Sequence, residues 1–190
     1  MLNEKQCAAA LKEAWKSGGF RVAFAEGKVL VRTNHWVAEI EQEYICPKIL
    51  GAIVEMIGVL PEAPAAYVAG KDADPGMTCS LDAELSVWEE IRAKADKALT
   101  PIRRTPITVG GYEIWQTGEG LRARPMNYKY TRIIELSGTK QAFIHKEGDE
   151  LGTEIFFKGF CEMAAVSGVV FHENAVLNRI EGFPWMGEES

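Results

Sequence analysis

Two Gly-Gly pairs constrain the fold of this chain most strongly, because each leads into a run in which apolar and polar residues alternate. Gly18-Gly19 precedes Phe20–Ala25, and Gly110-Gly111 precedes Tyr112–Thr117. A period of two is typical of a strand with one buried face. Each run then meets a glycine-containing turn, Glu26-Gly27 in one case and a Gly-Glu-Gly turn in the other. Both pairs therefore predict the start of a β-hairpin.

The residues around each pair predict the same order of elements, namely a helix, three strands, a second helix and a strand. In the first copy these are residues 3–17, 20–25, 29–33, 36–41, 47–57 and 65–69; in the second they are 80–98, 112–117, 121–124, 128–136, 153–167 and a strand after Gly168. We therefore predict an internal duplication, with 1–70 as the first repeat, 71–79 as a linker and 80–190 as the second repeat, together forming one compact domain. The second copy is longer because of an insertion at 137–152. The alternative is an ordinary α+β domain whose elements recur by chance.

The predicted fold class is α+β, with an antiparallel sheet built from the two copies and the helices packed on one of its faces. This order of elements is similar to that of duplicated saddles of the TATA-binding-protein kind and of sliding-clamp-like repeats. The similarity is one of fold alone, because no motif of either family occurs in the sequence.

Composition limits the class of protein. Hydrophobic residues make up 47% and charged residues 25% of the 190 residues, which is typical of a globular chain. The four cysteines include no C-x-x-C pair, so zinc clusters and thioredoxin-like motifs are excluded. The sequence shows neither a signal peptide nor an apolar run of 18 residues. We expect a cytoplasmic protein with reduced thiols and no membrane partner.

The charge distribution points to one segment. The formal net charge is −6, yet residues 101–132 carry six basic and two acidic side chains, whereas 133–190 carry four basic and ten acidic ones. If 121–124 and 128–136 are strands, Arg122 and Arg124 share one face, and Tyr128, Tyr130 and Arg132 share another. Cations beside aromatic rings are what single-stranded nucleic acid requires of a protein surface. The candidate binding residues are Arg122, Arg124, Lys129, Arg132, Tyr112, Trp115, Tyr128 and Tyr130. A plain solvated strand face is the competing interpretation.

Other kinds of site have weaker support. His145, Glu147, Asp149 and Glu150 are side chains that a divalent ion accepts, but no known loop pattern surrounds them, so no metal site is predicted. No cysteine or serine lies in a recognised nucleophile motif, and neither a P-loop nor a G-x-G-x-x-G motif occurs. We therefore predict no cofactor and no catalytic residues, and we favour a non-enzyme while leaving an enzyme of unrecognised type open.

Two functions follow from these patterns. The first is a non-catalytic binding module that uses the basic and aromatic strands to hold an anionic partner, with single-stranded nucleic acid and an acidic protein as candidates. The alternative is a structural or assembly protein, a homo-oligomer that associates through sheet edges and through an aromatic C-terminal tail with Phe183 and Trp185. Because the basic run belongs to the second copy only, we expect any site to be asymmetric.

Overall fold

The fold class is α+β, as predicted, in a computed structural model that describes residues 2–117, 123–135, 141–147, 150–159 and 162–168. The helices are α1 (Glu4–Ser17), α2 (Pro47–Ile57), α3 (Leu81–Lys97) and α4 (Tyr128–Thr131), with a 3-10 turn at Gln42–Tyr44. The strands are β1 (Phe20–Ala25), β2 (Lys28–Arg32), β3 (Trp36–Glu41), β4 (Ala65–Ala69), β5 (Thr78–Cys79), β6 (Thr100–Val109), β7 (Tyr112–Thr117), β8 (Ala123–Asn127), β9 (Gln141–Glu147), β10 (Glu150–Lys158) and β11 (Glu162–Ser167).

The eleven described strands form one antiparallel sheet in the order β5-β4-β1-β2-β3-β11-β10-β9-β6-β7-β8. The two parts of the chain meet in its middle, where β3 pairs with β11. β6 pairs through its first two residues with β9 and through the rest with β7, and its register shifts between Arg104 and Thr108. This irregular strand carries the sheet from its central part to the β6–β7–β8 end.

The helix starts follow the capping residues seen in the sequence. The Asn3 side chain accepts a hydrogen bond from the Gln6 backbone N–H at 3.0 Å and begins α1. Ser80 caps α3 in the same way, through the backbone N–H of Ala83. α2 begins with Pro47 and ends at Gly58, whose φ of 75° suits glycine. These starts and stops are local effects, and they lie within one residue of the predicted bounds 3–17, 47–57 and 80–98.

The main core lies between the sheet and the pair α1 and α2. Cys7 and Leu11 of α1 and Ile49 and Ile53 of α2 are buried there, against the face of β1 that carries Val22. Four-residue spacing places each pair on one side of its helix. Among the described residues, none of the helices has both the length and the apolar character needed to cross a bilayer.

α3 lies on the opposite face of the sheet, so the expectation of helices on one face only is wrong. Trp88 packs on Ala23 and Leu30, while Ala95 packs near Phe156 at the other end of the helix. The sequence reason is that these strands carry small or apolar residues on both faces. A sheet covered on both faces loses the clean alternation that a one-sided sheet shows.

The same two-sided burial explains why the helix predicted at 153–167 is wrong. This segment forms β10 and β11, with Phe156 paired to Ala165 and Phe157 to Ala164. Phe157 contacts the α1–α2 core, whereas Phe156 faces α3. Because both faces are buried, adjacent residues are both apolar, and this pattern resembles the apolar side of a helix.

The strand predicted at 128–136 is also wrong. The Asn127 side chain accepts a hydrogen bond from the Lys129 backbone N–H at 2.9 Å and begins the short helix α4. The consecutive Ile133 and Ile134 are both buried, which a half-exposed strand does not allow. Local capping and burial therefore override the β-propensity of the tyrosines.

The internal duplication stays a prediction. α1 and α3 are each followed by three strands, but the helix after β8 has only four residues, and the structure describes three further strands after it. The boundaries 1–70, 71–79 and 80–190 and the saddle analogy also stay predictions. Residues 71–79 include β5, which pairs with β4. The predicted insertion at 137–152 falls largely on β9 and the start of β10.

Candidate functional site

The short helix α4 decides which of the predicted binding residues come together. Residues three and four positions apart share a side of a helix. Tyr128, Thr131 and Arg132 accordingly line one pocket. Lys129 instead contacts α1, and Tyr130 contacts His35. The grouping of Tyr128 with Tyr130 and Arg132, which a strand would give, does not occur.

The pocket has a volume of about 330 Å³ and lies between α4, the strands β6 and β7, and the first turn of α1. We call it the Arg132 pocket. Its charged lining residues are Arg104, Glu113 and Arg132, and the others are Asn3, Gln6, Trp115, Tyr128, Thr131 and Ile134. The lining thus combines charged, hydrogen-bonding and apolar side chains, as ligand sites do.

The pairing of β6 with β7 determines which side chains form the β-sheet wall of the pocket. Glu113 and Trp115 lie two residues apart on β7 and so share a face. Arg104 of β6 is directly opposite Trp115, and the register shift after Arg104 separates it from Thr108, which is opposite Glu113. Arg104 and Glu113 form an ion pair across the two strands. A basic and an acidic group are therefore fixed beside one indole ring.

Glu113 joins this wall to α4. Its side chain is only 2% exposed, and the Thr131 hydroxyl donates a hydrogen bond of 2.7 Å to its Oε2. Together with the Arg104 ion pair, this contact satisfies both carboxylate oxygens. The carboxylate thus fixes the turn of α4 from which Arg132 projects.

Two buried N–H groups in the pocket lining lack an acceptor. Trp115 Nε1 and Arg132 Nε are buried and have no hydrogen-bond partner among the described residues. Arg132 also forms no ion pair within the described ranges, whereas Arg104 is paired. A buried donor without a partner costs roughly 1–3 kcal/mol, so native structures rarely leave one without a reason.

The first turn of α1 borders the pocket from the other side. Asn3 and Gln6 line it, and the Asn3 backbone N–H donates a hydrogen bond of 2.7 Å to the carbonyl of Ile133. The N-terminal end of a helix carries a partial positive charge. The position of α1 therefore adds to the positive character that Arg132 gives the pocket.

The other α4 residues have structural contacts. Lys129 forms an ion pair with Glu13 of α1. Tyr130 stacks on His35, with ring centroids 4.4 Å apart and planes inclined by 19°, and burial raises the pKa of its hydroxyl. The interface between α4, α1 and the turn before β3 thus accounts for both residues.

Arg124 and Tyr112 are not part of the pocket lining. Arg124 is half-buried and donates a hydrogen bond of 2.5 Å to the Leu151 carbonyl, and burial lowers the pKa of its guanidinium. Tyr112 is half-buried at the start of β7. Arg122 lies outside the described residues. Trp115 is 2% exposed and meets Phe157 edge-on, so it is not a ring on an open face.

Sequence reasoning missed Arg104, Glu113 and Thr131. One signal was present for Glu113, since it shares the inward face of β7 with Trp115 and a charge at such a position needs a partner. Arg104 lies between Pro101 and Pro106, outside every element that the sequence predicts. Its place opposite Trp115 depends on a strand pairing that no local pattern specifies.

Other candidate sites have less support. A second pocket, of about 350 Å³, lies between the end of α1 and the β4–β5 turn, but the charged side chains that line it are exposed. In the described ranges, no three His, Cys, Asp or Glu side chains are grouped so that they could hold a metal ion. Self-association stays a prediction, and its aromatic tail lies outside the described residues.

No protein-family model matches the chain, and no curated protein or solved structure is significantly similar to it.

Proposed function

We propose that this protein is a non-catalytic binding module that holds an anionic group in the Arg132 pocket. The observation that supports the proposal is the pair of buried donors, Trp115 Nε1 and Arg132 Nε, which lack acceptors among the described residues and line the same pocket. An anion supplies acceptors to both donors and a charge to Arg132. Hydrogen bonds to an ionised partner are stronger than neutral ones.

The pocket's other groups are consistent with binding rather than catalysis. Glu113 is engaged by Arg104 and Thr131, so it is not placed as a free general base. The described lining contains no histidine, cysteine or serine. The proposal therefore assigns the pocket recognition of a charged group and no bond-breaking step.

A discrete anionic group fits this pocket better than a length of single-stranded nucleic acid. Base stacking needs accessible rings. Trp115 is buried and Tyr130 is stacked on His35, whereas Tyr128 is 51% exposed. One accessible ring beside one unpaired arginine supports recognition of a single charged group. Nucleic acid is kept as an outcome of the test.

The test compares two variants of α4. We expect Arg132→Gln to weaken the binding of acetate and of inorganic phosphate by about tenfold or more, because it removes the unpaired charge. Lys129→Gln is the matched control, since Lys129 lies in α4, three residues before Arg132, but pairs with Glu13 outside the pocket. Binding is measured by calorimetric titration at about 20 mM salt, where screening is weak.

Labelled single-stranded DNA and RNA are titrated in parallel over a series of salt concentrations. A polynucleotide held through several phosphates loses affinity steeply as salt rises. Tight, steeply salt-dependent binding that Arg132→Gln leaves unchanged would replace this proposal with a nucleic-acid surface elsewhere. If neither small anion binds, or if both variants bind them equally well, the proposal fails.

A further inference from the structure

The balance of charge in the Arg132 pocket limits which anions it can accept. Arg104 and Glu113 neutralise each other, so Arg132 supplies the single uncompensated charge among the described lining residues. Glu113 stays in the wall as a fixed negative group, because it is buried and held by two partners. A ligand with two negative charges would meet one free cation and a carboxylate that repels it. The charge of a ligand with one negative charge is balanced by the single uncompensated positive charge of Arg132.

The shape of the pocket and its hydrogen-bond donors also limit which ligands it can hold. The two donors without acceptors, Trp115 Nε1 and Arg132 Nε, suit a group with two acceptor oxygens. Tyr128, half exposed, and Ile134, buried, add apolar surface to the same lining. A volume of about 330 Å³ accommodates a small ligand with an apolar body as well as its charged end.

We infer that the Arg132 pocket takes a monoanionic carboxylate attached to a flat apolar group, in preference to a phosphate ester. The inference rests on the anion-binding function proposed above. The carboxylate accepts hydrogen bonds from Arg132 and Trp115, and the apolar group lies against Tyr128 and Ile134. Either a small organic acid or the C-terminal carboxylate of a peptide that ends in an aromatic residue has this chemistry.

The test uses three compounds that differ in their charged end: phenylacetate, its neutral amide, and phenyl phosphate. The reporter is the indole N–H resonance of Trp115, one of five tryptophans, assigned by its loss in Trp115→Phe. We expect phenylacetate to shift this resonance and to bind about tenfold more tightly than phenyl phosphate at pH 7.5. The neutral amide should leave the resonance in place at the same concentrations. Arg132→Gln should abolish the shift, and Lys129→Gln should retain it.

Glu113→Gln provides a second arm that does not depend on Trp115→Phe folding. Removing the fixed negative charge should relieve the repulsion of a dianion, so the preference for phenylacetate over phenyl phosphate should shrink by about tenfold. N-acetyl-Gly-Phe and its C-terminal amide, tested in the same way, separate a peptide terminus from a small acid as the source of the carboxylate. If phenylacetate and N-acetyl-Gly-Phe bind equally tightly, the pocket recognises only the carboxylate and the ring, which the two acids share.

Three outcomes are distinguishable. A preference for phenylacetate that depends on Arg132 and shrinks in Glu113→Gln supports the inference. Binding of phenyl phosphate that is as tight or tighter, and still depends on Arg132, overturns the inference and leaves the anion-binding function standing. If none of the anions shifts the Trp115 resonance or depends on Arg132, both the inference and the proposed function are overturned.

Discussion

Two buried glutamates, Glu84 and Glu113, are placed in similar ways in different parts of the molecule. Each is 2% exposed, and each is paired with arginine from a β-strand. Glu84 projects from α3 to Arg21 and Arg32, which are opposite each other on β1 and β2. Glu113 lies within the sheet itself and pairs with Arg104 of the neighbouring strand. Their surroundings differ in what is left without a partner.

The Glu84 network is complete. Arg32 donates to both carboxylate oxygens, through Nε at 3.1 Å and through Nη2 at 2.6 and 2.9 Å, and Arg21 adds a bond of 2.7 Å. Around Glu113 the carboxylate is also satisfied, but the neighbouring Arg132 and Trp115 each retain a buried donor without a partner in the described ranges. The same chemistry thus attaches a helix in one region, whereas in the other it lies beside buried donors that lack an acceptor among the described residues.

The comparison shows that burying a charged group does not by itself indicate a ligand site. A buried carboxylate with two arginines is explained by the attachment of α3 to the sheet. What distinguishes the Arg132 pocket is an unmatched cation and unpaired donors beside an open volume. The asymmetry expected of any site stays a prediction.

The largest effect is expected for Glu84→Gln. Replacing the carboxylate leaves Arg32, whose side chain is 26% exposed, without a counter-charge opposite Arg21. Because Arg21 is 50% exposed and can turn toward water, we expect a cost of about 2 kcal/mol of unfolding free energy. Urea unfolding followed by circular dichroism measures the change in midpoint, with the slope checked for constancy. Glu89→Gln, at an exposed position on the same helix, is the control and should change stability little.

A loss below about 1 kcal/mol in Glu84→Gln would mean that the network contributes no more than a surface ion pair does. The attachment of α3 would then rest on Trp88, which is fully buried. Glu84 could then no longer be described as the buried glutamate that attaches a helix to the sheet.

Glu113→Gln should destabilise the protein less, by about 1 kcal/mol. The glutamine oxygen still accepts from Thr131, and Arg104, whose side chain is 42% exposed, can turn toward water. The same urea measurement applies, and Thr131→Val is a matched test because it removes the other contact to the carboxylate. A cost equal to that of Glu84→Gln would make Glu113 a structural anchor of the same kind and weaken the comparison.

The sequence predicted the first part of the fold almost in full. Asn3, Gly18-Gly19, Pro47 and Gly58 are local signals for where elements start and stop, and β1 to β4 lie where the sequence predicts strands. The failures at 128–136 and 153–167 have different causes. At 128–136 the Asn127 cap is a local signal that begins α4, whereas the β-propensity of the tyrosines favoured a strand. At 153–167 the burial of both faces of β10 and β11 depends on α3 and on other contacts distant in sequence, which no periodicity in a short window reveals.

The candidate site was predicted only in part for a similar reason. Arg132, Trp115 and Tyr128 were named because basic and aromatic residues cluster in the sequence. Arg104 was missed because only the pairing of β6 with β7 brings it to Trp115. Lys129 and Tyr130 were grouped with the site because a period of two was assumed where α4 imposes helical spacing. The clustering of basic and aromatic residues thus indicated the part of the chain that contains the candidate site, whereas strand pairing and the α4 helix determine which residues line it.

The smallest change in unfolding free energy near neutral pH is expected from the protonation of Glu84. Its burial alone would raise the pKa, but the hydrogen bonds and charges of Arg32 and Arg21 lower the pKa below the ordinary value of 4.5. As pH falls through 4.5, the unfolded chain therefore binds a proton before the folded protein does, so acid favours unfolding. The stabilisation from this group is fully present above pH 4.5 and is lost as pH approaches the lowered folded pKa.

Glu39 titrates in the same direction. Burial alone would raise its pKa, but hydrogen bonds from Lys28 and Arg92 lower it. Unfolding free energies measured by urea between about pH 7 and pH 3 should therefore fall in both the native protein and Glu84→Gln, with a shallower decline in the variant because only Glu39 and other carboxylates remain. The difference between the two curves isolates Glu84. Parallel curves across this range would show that its carboxylate has the same proton affinity folded and unfolded, which its two arginine partners do not permit.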